Sequence, residues 1–139
     1  MDNINKLICY LIAISNFAKD IHYRCHDEAS YSKHLLADRI YEGLYDFIDE
    51  IKETCMLGND ILPLPSGEYL ARAMNLLPQV TDDDKSNFQS MQKLLIDCLV
   101  LMQEMLKETD TPRAEISLID NIAQNLQQKL GLVNLQVKD

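Results

Sequence analysis

Apolar residues recur three and four apart along four long stretches of the chain, the mark of helices that each bury one side. The first stretch, from Asn3 to Arg24, puts Leu7, Tyr10, Leu11, Ile14, Phe17 and Ile21 on one stripe. The second, from Glu28 to Met56, does the same with Leu36, Ile40, Leu44, Phe47, Ile48, Ile51 and Cys55, and Leu57-Gly58-Asn59 follows as a stop. A third helix is expected from Thr81, with Thr81 as N-cap and the three aspartates after it in the first turn. Its stripe includes Phe88, Met91, Leu95, Cys98, Met102 and Met105. Thr111-Pro112 opens a fourth helix striped by Ile116, Ile119, Ile122, Ala123, Leu126 and Leu130, which Gly131 is expected to end.

Between the second and third helices lies a connector holding Pro63, Pro65 and Pro78, with a short helix expected from Ser66 to Met74. Two helices, a crossover of roughly 25 residues and two more helices form the ferritin-like variant of the four-helix bundle. The expected class is therefore all-α, with the short helix carried on the crossover and residues 1–139 forming one domain.

Composition agrees with this reading and narrows the chemistry. Of 139 residues, 47% are hydrophobic and 25% charged, with 4 glycines and 4 prolines, so breakers are too few for a many-turned β fold. The net charge of −9 repels phosphate backbones and anionic lipid, so neither DNA nor a membrane is an expected partner. The apolar run Leu7–Ile14 is too short to cross a bilayer and has neither a basic segment before it nor a small-residue cleavage site after it. The expected location is the cytoplasm, where Cys9, Cys25, Cys55 and Cys98, scattered without a CxxC pair, would stay reduced.

The second helix also carries the candidate chemistry. With His34 at zero on a helical wheel, Asp38, Asp49 and Glu53 fall at about 40°, 60° and 100°, whereas the apolar stripe occupies about 200° to 320°. Four metal-ligand side chains thus share an arc that faces away from the chain's own core. His34 and Asp49 lie about 22 Å apart along such a helix, and ligand bonds are about 2 Å long. One chain cannot bring both pairs to one ion. A two-fold partner can, if two copies of this helix pack antiparallel so that His34 and Asp38 of one meet Asp49 and Glu53 of the other. Tyr41 and Tyr45 sit midway along the face, and His22 on the first helix could supply a further imidazole.

The series His22, His34, Asp38, Asp49, Glu53, with spacings of 12, 4, 11 and 4, resembles the ferroxidase-site pattern of Dps-type mini-ferritins. The resemblance covers the whole chain in architecture and Ile21 to Gly58 in motif. It differs in having Tyr23 after the first histidine, where the family usually has tryptophan, in having no glycine until Gly43, and in starting Met-Asp-Asn-Ile-Asn-Lys where the family's DNA-binding members tend to carry a basic tail. It implies Fe(II) oxidation by hydrogen peroxide or oxygen at a site shared by two subunits, storage of the product, and a homo-oligomer of two-fold dimers, in the family a twelve-subunit shell. His22 and His34 would be end ligands, Asp38 and Glu53 would hold the main iron, and Asp49 would orient or bridge. A mixed oxygen and nitrogen donor set suits Fe(II), with Zn(II) or Mn(II) as competitors.

Three other features read as structure. His22-Cys25-His26 has no evident fourth zinc ligand. Met91, Met102 and Met105 have core spacing. Asp82-Asp83-Asp84 lacks the loop pattern of a calcium site. Glu-x-x-His, the mark of in-bundle di-iron sites, is absent. The alternative function is a metal-silent helical bundle serving as an interaction module, with Lys52 pairing to Asp49 and Glu53 as ordinary surface charges.

Overall fold

The first helix is buried on nearly every side. In the computed structural model, which describes residues 2–26, 29–108 and 110–138, α1 (Asp2–Arg24) packs against α2 (Ser30–Tyr41), α3 (Leu44–Ile51), α4 (Ser66–Leu76) and α5 (Asp84–Leu106). Ile8, Ile12 and Ala13 are therefore buried along with the expected stripe, of which Tyr10 alone is half-buried, and buried Ser15 satisfies its hydroxyl by donating to the Leu11 carbonyl at 2.8 Å. α6 (Arg113–Val137) pairs with α5. Every regular element among the described residues is helical.

Two sets of contacts fix the topology. Asp84, at the start of α5, lies beside His26 and Lys33, so α5 begins where α1 ends and α2 starts. At the other end Asn3, Asn59, Met105 and Thr111 line one cleft, bringing together the start of α1, the end of the second-helix unit, the end of α5 and the approach to α6. The segment 60–83 therefore crosses the length of the bundle, as a ferritin-like connection must. α4 fastens that crossover to α1. Buried Tyr69 donates its hydroxyl to Asn5 Oδ1 at 2.7 Å and accepts the Leu64 amide at 3.1 Å.

The second helix departs from the expected continuous rod. Its proposed start at Glu28 lies outside the described residues. Farther on it breaks at Glu42 (φ −58°, ψ 129°) and Gly43 (φ 81°, ψ −7°), the dihedral pair of a type II turn, whose third position calls for glycine. After α3 the chain widens into a π turn, Lys52–Met56, then tightens into a 3₁₀ turn, Leu57–Asn59, and stops at Asp60 with φ 59°. The single angular scale from His34 to Glu53 does not hold across these features. The division of faces does hold: Ile40, Leu44, Ile48, Ile51 and Cys55 are buried, and Asp38, Asp49 and Glu53 are exposed.

Three helix ends shift for local reasons. α5 is capped by Asp83, which accepts the Ser86 amide at 3.2 Å, and starts at Asp84. Thr81 instead exchanges hydrogen bonds with buried Asn87, through its amide at 2.8 Å and its carbonyl at 2.9 Å. In α6, Pro112 is the N-cap residue and Arg113 the first helical one. Gly131 does not end that helix, which runs on to Val137. Val133, two residues beyond the break expected at the glycine, is fully buried, and its burial outweighs a glycine penalty of about 1 kcal/mol.

The four cysteines form no disulfide. Cys9, Cys55 and Cys98 are buried, and burial, with Glu115 nearby, pushes the Cys55 thiol up to about 12. No helix among the described residues is long and apolar enough to cross a membrane.

Candidate metal centre

His22 stands in the last turn of α1 and His34 near the start of α2, and the antiparallel packing of these helices brings their rings together. The imidazoles stack at 3.5 Å between centroids with planes 30° apart. Each directs Nδ1 at the other residue's backbone carbonyl: His34 Nδ1 lies 2.8 Å from the His22 oxygen, and His22 Nδ1 lies 3.3 Å from the His34 oxygen. A carbonyl only accepts, so Nδ1 carries the proton on both rings. The lone pair is then on Nε2, where second-shell hydrogen bonding commonly leaves it in metal-ligating histidines.

Asp38, one turn along α2 from His34, joins this pair. Its Oδ1 is 3.5 Å from His22 Nδ1 and 3.6 Å from Lys19 Nζ. The Lys19 ammonium also sits 4.2 Å above the Tyr41 ring, whose centroid is 6.1 Å from that of Tyr45. Sequence reasoning did not single out Lys19; its place three residues before His22 on α1 was the available signal.

Asp49 and Glu53 lie beyond the Glu42–Gly43 turn, on α3 and the π turn. Both are exposed, and neither forms a side-chain hydrogen bond or an ion pair among the described residues. Lys52 lies over the Tyr69 ring at 5.1 Å, a cation–π contact in place of the pairing with these carboxylates that the alternative reading would use. His22, His34 and Asp38 thus form one group and Asp49 and Glu53 another. No three His, Cys, Asp or Glu residues among those described are disposed to hold a metal ion within one chain.

The donor types fit a first-row divalent ion such as Fe(II). Two imidazole nitrogens are left basic by their Nδ1–H bonds, and three exposed carboxylates can turn toward an ion. The His22-Cys25-His26 cluster does not gather in this way. The Cys25 thiol donates to the Ile21 carbonyl at 3.1 Å, and His26 Nδ1 points to the Arg24 carbonyl at 2.9 Å.

Solved structures share this architecture. A Dps protein from Vibrio cholerae O1, described as a member of a broad superfamily of ferritin-like diiron-carboxylate proteins, superposes with a TM-score of 0.84 at 18% identity, covering 99% of this chain and 87% of its own. A mutant of Dps1 from Mycobacterium smegmatis superposes with a TM-score of 0.82 at 12% identity, covering 99% of this chain and 93% of its own. No protein-family model and no curated protein matches the sequence. The chain has the ferritin-like bundle fold of the Dps proteins.

Proposed function

We propose that the protein is an iron-oxidising, iron-storing mini-ferritin whose metal site is completed by a second copy of the chain. One observation carries this reading. On a Dps fold, His22, His34 and Asp38 gather at one end of an exposed face, and Asp49 and Glu53 stand beyond the turn on the same unit, unpaired among the described residues. Two such faces packed antiparallel would oppose the first group with Asp49 and Glu53 of the partner subunit, twice per dimer. Tyr31, Leu35 and Tyr45 are large, apolar and exposed on α2 and α3, and give that contact its hydrophobic substance.

In such a site the histidine Nε2 atoms and Asp38 bind Fe(II) from one chain, while the partner's Glu53 completes the main site and the partner's Asp49 orients or bridges. Two Fe(II) each give up one electron, and one hydrogen peroxide takes both with two protons and leaves as two waters. Oxygen is the alternative oxidant. Carboxylates favour the higher charge of Fe(III), so the same donors that capture the ion favour its oxidation. The acidic chain suits storage of the ferric product in a closed oligomer, and the cytoplasm suits Fe(II) supply and the free thiols.

The test is anaerobic Fe(II) titration of the purified protein, with its mass measured in the same solution by light scattering. The expected result is one or two irons per chain on an oligomer, lost in Asp49→Ala and Glu53→Ala variants that keep their helix content. A folded dimer that binds no iron would overturn the ferroxidase reading and favour an interaction module.

A further inference from the structure

The Glu42–Gly43 turn interrupts the second-helix unit beside α6, and a cleft of about 240 Å³ lies there. Its walls are Arg39, Glu42, Gly43, Asn125, Gln128 and Lys129. The three α6 residues stand at i, i+3 and i+4, so a single face of that helix supplies them.

The polar groups in this cleft are incompletely matched. Lys129 is only 4% exposed, and its ammonium donates one hydrogen bond, to the Glu42 carbonyl at 2.9 Å. An ammonium has three N–H groups, so two remain for other acceptors. Arg39 forms no ion pair among the described residues, and its charge bears on Lys129. Asn125 Oδ1 is buried and receives no hydrogen bond among the described residues. The Glu42 carboxylate is the acid on the rim; it favours the charged form of Lys129 but forms no ion pair with either cation. A buried ammonium without a bonded carboxylate is a costly arrangement, and a second cation beside it raises that cost.

We propose that this cleft binds a small protonated oxyanion, with hydrogen phosphate as the chemistry that fits. Two phosphate oxygens accept from Lys129 and Arg39, the Gln128 amide donates to a third, and the P–OH donates to Asn125 Oδ1. The phosphate comes either free or as the end group of a larger molecule. The site uses none of the metal-ligand candidates, so it stands or falls independently of the iron reading.

Equilibrium dialysis of the metal-free protein against labelled inorganic phosphate, at constant ionic strength, tests it. The expected result is saturable uptake of one phosphate per chain, with sulfate a poor competitor because at neutral pH it carries no proton for Asn125. Lys129→Met and Arg39→Gln should each weaken uptake roughly tenfold, the loss of one charge-assisted hydrogen bond. Arg39 is exposed, so its variant keeps the test valid if Lys129→Met fails to fold. Competition by glycerol phosphate at about pH 5.5, where a phosphomonoester also keeps a P–OH, would assign the site to a phosphomonoester, and failure to compete would assign it to free phosphate. Uptake that does not saturate, or that is unchanged in Arg39→Gln, would overturn the proposal.

Discussion

His22 and His34 hold each other by a reciprocal exchange in which each ring's Nδ1 meets the other residue's backbone carbonyl, at 3.3 and 2.8 Å. Each imidazole is oriented by the other's main chain, and His22 also by Asp38 Oδ1 at 3.5 Å. His34→Ala should therefore remove one metal ligand and leave the His22 carbonyl without its donor. Metal affinity, read by anaerobic Co(II) or Fe(II) titration, should fall roughly 10- to 100-fold. Circular dichroism should show an unchanged helix content, because His34 is only half-buried. An unchanged affinity would remove His34 from the ligand set.

Lys19 competes for the same carboxylate that the metal needs. Its ammonium lies 3.6 Å from Asp38 Oδ1, and a divalent ion entering there must push that charge aside. Lys19→Met should tighten metal binding roughly tenfold at low salt, and less at high salt. Thermal stability should change by less than about 1 kcal/mol, since the pair is partly solvated. Weaker metal binding in this variant would mean that Lys19 positions Asp38 and does not compete for it.

Much of this was legible in the sequence, because helical periodicity responds to burial and every stripe residue named on the second helix is buried or half-buried. The outward disposition of Asp38, Asp49 and Glu53 was legible for the same reason: a carboxylate on the wrong side of an amphipathic helix cannot serve that chain's core. What escaped was backbone detail. Gly43 sits in an unbroken apolar rhythm, and Leu44 resumes the stripe after it, so periodicity alone could not reveal the turn. Gly131 misled in the opposite direction, because glycine propensity is worth about 1 kcal/mol and a buried Val133 is worth more. Lys19 and Lys129 escaped because a lysine's partner is set by tertiary packing and not by spacing.

The two glycines predict opposite outcomes for the same substitution. Gly43 has φ 81°, and a Cβ there would meet no atom within 4 Å, so the penalty of Gly43→Ala is confined to the backbone. It should destabilise by about 1–2 kcal/mol. Gly131 is helical, exposed and equally uncrowded, so Gly131→Ala should stabilise by about 0.5–1 kcal/mol. Urea unfolding of both variants checks the pair. A Gly43→Ala protein as stable as the parent would mean that the second-helix unit accepts a continuous α-helix at no cost.

Lys129 makes stability depend on alkaline pH. Burial pulls its ammonium down to about 8, with Glu42 partly offsetting this and Arg39 adding to it, whereas the unfolded chain returns it to 10.5. Between these values the unfolded state carries a proton on Lys129 that the folded state has released. Stability from this residue therefore rises with pH across the window from about 8 to 10.5. Below about 8 both states are protonated and the penalty of the buried charge is present in full. Lys129→Met has no such group, so the melting temperature of the parent minus that of the variant should climb through this window and be flat at neutral pH. Taking the difference cancels the titration of the tyrosines and cysteines common to both proteins. A flat difference across the window would mean that the ammonium stays charged in the folded state, held by a partner stronger than the Glu42 carbonyl.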